Sequence, residues 1–148
     1  MPRDLTLKAM NAVHRAWMSV ARGRGGWRVL RMPVLELTTT GRRSGRPHRV
    51  LLTSPVQVDG TFVVVASRGG DDRPPAWLLN LEAEPRVEVR LDGGPVRAAH
   101  ARVATPAERR AMWPRVTSAY RGYAHYQART SREIALVLIE IPPGRPGS

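Results

Sequence analysis

The chain has 148 residues, enough for one domain with a real core and too few for two. Lys+Arg number 24 against 12 Asp+Glu, and the formal charge of +12 at pH 7 points to an anionic partner. With 42% hydrophobic and 24% charged residues the usage is that of a globular protein, which excludes a disordered basic tail, and the absence of cysteine excludes disulfides, a thiol nucleophile, Cys-ligated zinc and iron–sulfur clusters. Redox chemistry, if any, has to come from a bound cofactor.

Nothing in the sequence approaches the ~18 consecutive apolar residues of a membrane span, and no signal-peptide core stands at the N-terminus, so the expected location is cytoplasmic. Residues 4–21 read as an amphipathic helix, with Leu7, Met10, Val13, Trp17 and Val20 at spacings of three and four and Lys8, Arg15 and Arg22 elsewhere on the wheel. Such a helix packs on its own domain or a second subunit, or lies on the inner face of the plasma membrane. Gly23, Gly25 and Gly26 end it, leaving 1–27 as helix and linker, 28–142 as the main domain and 143–148 as a frayed tail.

Short β-type runs follow. Strands are expected over 34–40 and 49–58, and Asp59-Gly60 signals a hairpin into 61–67, whose Phe62-Val63-Val64-Val65-Ala66 suits a strand buried on both faces. A polar Gly/Asp/Pro loop leads to a helix over Ala76–Ala83; Arg86–Leu91 and 95–104 form a hairpin about Asp92-Gly93-Gly94. Thr105-Pro106-Ala107-Glu108 carries a capping box opening a helix to Ala119 or beyond, and 134–141 is a last apolar strand. About six mainly antiparallel strands, an N-terminal helix and two helical insertions make an α+β protein whose sheet curls into a small barrel, because closure removes exposed edges. A parallel nucleotide-binding sheet is disfavoured, since no GxGxxG or Walker-type loop is present.

Three segments carry candidate chemistry. Thr38-Thr39-Thr40-Gly41-Arg42-Arg43-Ser44-Gly45-Arg46-Pro47-His48-Arg49 crowds arginines, hydroxyls and glycines between two strands, a composition that holds phosphate or carboxylate through forked guanidinium bonds and close N–H groups; otherwise it is a solvated hairpin tip. Ser67-Arg68-Gly69-Gly70 repeats the recipe ahead of a helix start, with Pro75, Ala76, Trp77 and Asn80 beyond it; Trp77 either stacks on a flat ring or anchors its helix in the core. Tyr120-Arg121-Gly122-Tyr123-Ala124-His125-Tyr126 holds every tyrosine of the chain, an i, i+3, i+6 progression that on one helix forms an aromatic wall or packs on the barrel. His14, His48, His100 and His125 are scattered without carboxylates at ligand spacing, so no metal site is expected.

Taken in order, Leu37-Thr38-Thr39-Thr40-Gly41-Arg42-Arg43-Ser44-Gly45, Val65-Ala66-Ser67-Arg68-Gly69-Gly70, Pro75-Ala76-Trp77-Leu78-Leu79-Asn80-Leu81 and Tyr120 to Gln127 resemble the deazaflavin-dependent nitroreductase family of actinobacteria, over residues 28–141. The resemblance implies a split β-barrel related to flavin-mononucleotide-binding oxidoreductases. It also implies binding of coenzyme F420, a deazaflavin with a phospholactyl–polyglutamate tail. On it, Arg42, Arg43, Ser44 and Arg49 would hold the tail, Ser67, Arg68 and Gly69 would lie along phosphate and ring, and Pro75, Ala76, Trp77 and Asn80 would flank the ring. Arg46-Pro47-His48-Arg49 is one residue longer than the family's common form, which makes His48 a competitor of Arg49. Hydride would pass to a small acceptor, a quinone, nitroaromatic or activated enone, with Tyr120, Tyr123, Tyr126 and Ser67 as the catalytic set. Alternatives are a flavin mononucleotide or haem barrel of the same fold, a coenzyme carrier without turnover, and, least favoured, a basic nucleic-acid-binding domain; a homodimer stays open.

Overall fold

In the computed structural model, which describes residues 28–29 and 32–142, the elements are β1 (Arg28–Val29), β2 (Met32–Thr40), β3 (Pro47–Thr53), β4 (Val56–Val58), β5 (Thr61–Val65), a 3-10 turn (Arg68–Gly70), α1 (Ala76–Ala83), β6 (Arg86–Leu91), β7 (Val96–Val103), α2 (Pro106–Ala119), α3 (Gly122–Ala128) and β8 (Leu136–Glu140). The helix expected over 4–21 and the tail 143–148 lie outside the described residues. The turn signals are met: Asp59 and Gly60 take φ of 48° and 78°, Asp92 and Gly93 51° and 70°, the left-handed geometry of tight hairpins. Thr105 accepts from the Glu108 N–H at 3.2 Å while the Glu108 carboxylate accepts from the Thr105 N–H at 2.9 Å, a complete capping box, and α2 ends at Ala119.

Among the described residues eight strands, all antiparallel, replace the expected six. β1 is a two-residue addition to the start of β2, and the run 49–58 breaks at Ser54-Pro55. Pro55 has no ladder N–H, and the Ser54 hydroxyl turns inward to the Val56 and Val63 carbonyls at 2.9 and 2.7 Å.

Residues 35–38 of β2 pair with β3 on one edge and β6 on the other, and from β6 the sheet continues β7-β8-β5-β4. β3 and β4 therefore stand at opposite ends of the hydrogen-bonded order, yet only Ser54 and Pro55 join them. Three residue steps span about 10 Å at most, so the sheet must roll until its ends meet. The roll is not closed by hydrogen bonds, contrary to expectation: no ladder pairs β3 with β4, and the seam is crossed by the chain at Ser54-Pro55, where the Ser54 N–H extends the β2–β3 ladder to the Pro33 carbonyl at 2.9 Å while its hydroxyl reaches across to Val63.

The period of two sorts the side chains. One face turns Leu35, Leu37, Val64, Val87, Val89, Ala99, Ala101, Val137 and Ile139 into the roll, where α1 adds Trp77, Leu78 and Leu81. The other face carries Val56, Val63, Val65, Leu136 and Leu138, covered by Val116 of α2, Tyr123 of α3 and Ile134. Each of the buried valine, leucine and isoleucine side chains contributes about 1.5–3 kcal/mol relative to exposure. Val63, Val64 and Val65 divide between the two cores, which is why that strand reads as apolar throughout.

Candidate functional site

The β2–β3 connection is a turn built on Gly41. Its N–H donates to the Arg46 carbonyl and its own carbonyl accepts from the Gly45 N–H, both at 2.8 Å, while Ser44 Oγ accepts from the Arg46 N–H at 3.1 Å. A Cβ at Gly41 would stand 2.6 Å from Ser44 Oγ and 2.7 Å from His48 Nε2, so these two side chains pack directly over the glycine and would have to shift for any larger residue. Asn80, buried in α1, ties the turn down: its Oδ1 accepts from the Arg42 N–H at 3.1 Å and Nη1 at 3.3 Å, and its Nδ2 donates to the buried Thr39 hydroxyl at 3.1 Å. Arg43, Arg46 and Arg49 are exposed and have no carboxylate partner among the described residues. The turn thus offers several unneutralised guanidinium groups on one anchored backbone.

Register separates the two rivals for the tail. His48 pairs with Thr39 and so lies on the α1 face beside Asn80, whereas Arg49 pairs with Thr38 and shares the opposite face with Leu51 and Thr53. On that face Thr53 meets the tyrosines, since Thr53 Oγ1 and the Tyr123 hydroxyl are 2.9 Å apart. β3 therefore runs from the arginine turn to the tyrosine cluster, about 20 Å for its length.

The tyrosines do not lie on one helix. α2 stops at Tyr120, whose ring folds back over Gly122, where any Cβ would collide with it, and Tyr123 and Tyr126 come from α3. The rings nonetheless gather edge to face: centroids are 5.0 Å apart for Tyr120–Tyr123, 6.4 Å for Tyr120–Tyr126 and 6.2 Å for Tyr123–Tyr126. Tyr123 is buried and burial pushes its phenol up, against the bond to Thr53. Tyr126, partly exposed, is pushed up to about 12, by burial first and then by its hydrogen bond with Tyr120. These are neutral phenols at physiological pH, suited to donating a hydrogen bond rather than to ionising.

The turn after β5 packs against this cluster. Arg68, Gly69 and Gly70 have φ of 46°, 64° and 85°, and a Cβ on Gly70 would stand 2.7 Å from the Tyr126 carbonyl oxygen. Arg68 pairs with Asp71 at 3.5 Å. Trp77 goes elsewhere: its indole is buried inside the roll with Leu78 and Leu81, on the opposite sheet face from the tyrosines, and Pro75 is buried as well while Ala76 is exposed. This packing is the one that the anchor reading of Trp77 expects. Sequence reasoning missed Arg132, whose guanidinium reaches the Ala66, Ser67 and Asp71 carbonyls, and Gln127, which accepts from the Ile134 N–H and from Arg109 and donates to the Arg132 carbonyl. Among the described residues no group of His, Asp and Glu could hold a metal ion.

The family model of F420H(2)-dependent quinone reductases matches residues 11–141. The chain belongs to that family. An F420H(2)-dependent quinone reductase of Mycobacterium tuberculosis H37Rv is 36% identical over 139 residues, covering 90% of this chain and 88% of the relative. The solved structure of an F420-H2 dependent reductase is similar at 37% identity with a TM-score of 0.65, covering 73% of this chain and 94% of that one. A second structure, described as a domain-swapped dimer, matches at 32% identity and a TM-score of 0.66 over 89% and 99%. A haem storage protein of Vibrio cholerae, at 14% identity and a TM-score of 0.51, shares the fold alone. The four motifs quoted above lie within the stretch matched to the F420H(2)-dependent quinone reductases. No helix among the described residues is long and apolar enough to cross a membrane.

Proposed function

We propose that this family member reduces a quinone-class acceptor with hydride taken from reduced coenzyme F420, and that the coenzyme lies along β3 from the arginine turn to the tyrosine cluster. The observation that carries this reading is the single strand with unneutralised arginines at one end and Thr53, bonded to Tyr123, at the other. The donor set fits the ligand: exposed guanidinium groups and a turn of left-handed residues suit the phosphate and carboxylates of the tail. When bound, the coenzyme supplies the hydride.

The chain's own residues bind, orient and exclude water. Arg42, fixed by Asn80, and Arg43, Ser44 and Arg49 hold the tail, with His48 on the α1 face as an outlying contact. Ser67, Arg68 and Gly69 meet the phosphate and ring portion. Tyr126 and Tyr120 offer hydroxyls to the acceptor oxygen, polarising it as charge develops, while Tyr123 sets their positions through Thr53. With Trp77 enclosed, the ring is bounded by Ser67 and the tyrosines rather than by the indole. A homodimer is consistent with the relative described as a domain-swapped dimer.

Titration with oxidised coenzyme F420, followed by turnover of the reduced form with menadione, tests the reading. Arg43→Ala combined with Arg68→Ala should weaken coenzyme binding by tenfold or more, about the effect of losing two charge-assisted contacts, with the circular dichroism spectrum unchanged. Unaltered affinity in the double variant would sink the tail assignment.

A further inference from the structure

We propose that Arg132 is a positioning residue for coenzyme binding, acting by fixing the peptide planes of the Ser67–Arg68 turn. The proposal rests on the functional reading above and deepens it. Arg132 Nε donates to the Asp71 carbonyl at 2.9 Å, both terminal nitrogens reach the Ala66 carbonyl at 3.3 Å, and Nη2 donates to the Ser67 carbonyl at 2.9 Å. One guanidinium therefore gathers three carbonyls from both ends of the turn.

The turn depends on that support. Its internal main-chain bonds are Gly70 N–H to Ser67 O at 2.9 Å and Asp71 N–H to Arg68 O at 3.2 Å, and Arg68 occupies the left-handed region without being glycine. That conformation costs about 1 kcal/mol or more and persists only where the surroundings hold it. Other bonds at the turn involve side chains or a single carbonyl: Arg68 pairs with Asp71 at 3.5 Å, Arg129 Nη1 reaches the Gly69 carbonyl at 3.5 Å, and Thr130 donates to the Asp72 carboxylate at 2.8 Å.

Peptide planarity converts this grip into function. In a trans peptide the C=O and the following N–H point in opposite directions. With the Ala66 and Ser67 carbonyls drawn to Arg132, the N–H groups of Ser67 and Arg68 are aimed away from it, towards the side where the phosphate and ring portion is proposed to lie. Arg132 lies four residues beyond the end of α3 at Ala128, and the Tyr126 carbonyl of that helix abuts Gly70, so the turn is held from the same segment that carries Tyr126. Lysine keeps the charge but cannot span three carbonyls with a rigid fork.

Arg109 makes a comparable pair of bonds away from the turn, to the Ile134 carbonyl at 2.9 Å and Gln127 Oε1 at 3.0 Å, and serves as the control. Arg132→Lys, Arg132→Met and Arg109→Lys are compared with the parent by thermal melting, by titration with oxidised coenzyme F420 and by the KM for menadione at saturating reduced coenzyme. Both Arg132 variants should weaken coenzyme binding about tenfold while the menadione KM stays within about twofold; Arg109→Lys should lower the melting temperature and leave coenzyme affinity alone. Should Arg132→Met fail to fold, Arg132→Lys decides. Parental affinity in Arg132→Lys, or losses that track the fall in melting temperature across all three variants, overturns the proposal. A parent that does not bind the coenzyme instead removes the functional reading, and this proposal with it.

Discussion

Asn80→Ala is the sharpest test of how α1 holds the arginine turn. Asn80 and Thr39 are 2% and 1% exposed, and the amide serves two partners across the sheet-to-helix gap, accepting from Arg42 and donating to Thr39. Truncation leaves a buried hydroxyl without its donor and the Arg42 N–H without its acceptor, each worth about 1–1.5 kcal/mol, with a small cavity in addition. A loss of about 3 kcal/mol follows, or about 10 °C in melting temperature for a chain of this size. Asn80→Asp behaves differently: the carboxylate still accepts from Arg42 and the Thr39 hydroxyl turns to donate, so the pairing with Arg42 offsets part of the cost of burying the charge and the loss is smaller than in Asn80→Ala. That variant neutralises Arg42, however, so coenzyme affinity drops while the fold holds. Thermal unfolding by circular dichroism, paired with coenzyme titration, separates the two effects. Melting of Asn80→Ala within about 2 °C of the parent would refute the claim that this amide organises the turn.

Acid stability should report the Glu108 pair. The fork of Arg102 at 2.7 and 2.9 Å, and then the Thr105 N–H, hold the Glu108 carboxyl down to about 2 from an ordinary 4.5. A carboxyl depressed in the folded state stabilises it above the unfolded value and ceases to do so as pH falls through the folded one. Melting curves of the parent and Glu108→Gln should therefore differ most above about pH 4.5 and converge towards about pH 2; a constant gap would contradict the assignment. For Tyr126→Phe, kcat should fall at saturating coenzyme without any change in the shape of the pH profile between about pH 6 and 9, because the phenol is already neutral there. An alkaline limb present in the parent and lost in the variant would show that Tyr126 ionises during turnover.

Local chemistry made much of the fold legible. Asp59-Gly60 and Asp92-Gly93 could only turn, Thr105 to Glu108 could only open a helix, and the alternation of Arg86–Leu91 could only line one face. The seam at Ser54-Pro55 was hidden because the flanking β-type residues read continuously, and what stops the strand is a hydroxyl finding carbonyls on β4 and β5. The arginine turn and the tyrosines stand out by composition, yet the division of the tyrosines between two helices depends on a ring folding over Gly122. Arg132 had no local signature: its partners lie more than sixty residues earlier in the chain and are main-chain atoms, which any sequence supplies.

β3 has one ladder partner among the described residues, which makes it an edge strand of the described sheet, and Pro47, His48 and Arg49 stand at its start. Proline and like charges on an open edge discourage another chain from adding a strand there. The side chains proposed to receive a polyanion thus also disfavour one mode of association, addition of a strand along β3, without bearing on pairing of copies through other surfaces. Replacing them with valine or leucine to study binding would invite aggregation, whereas glutamine would lower the charge and keep the edge polar.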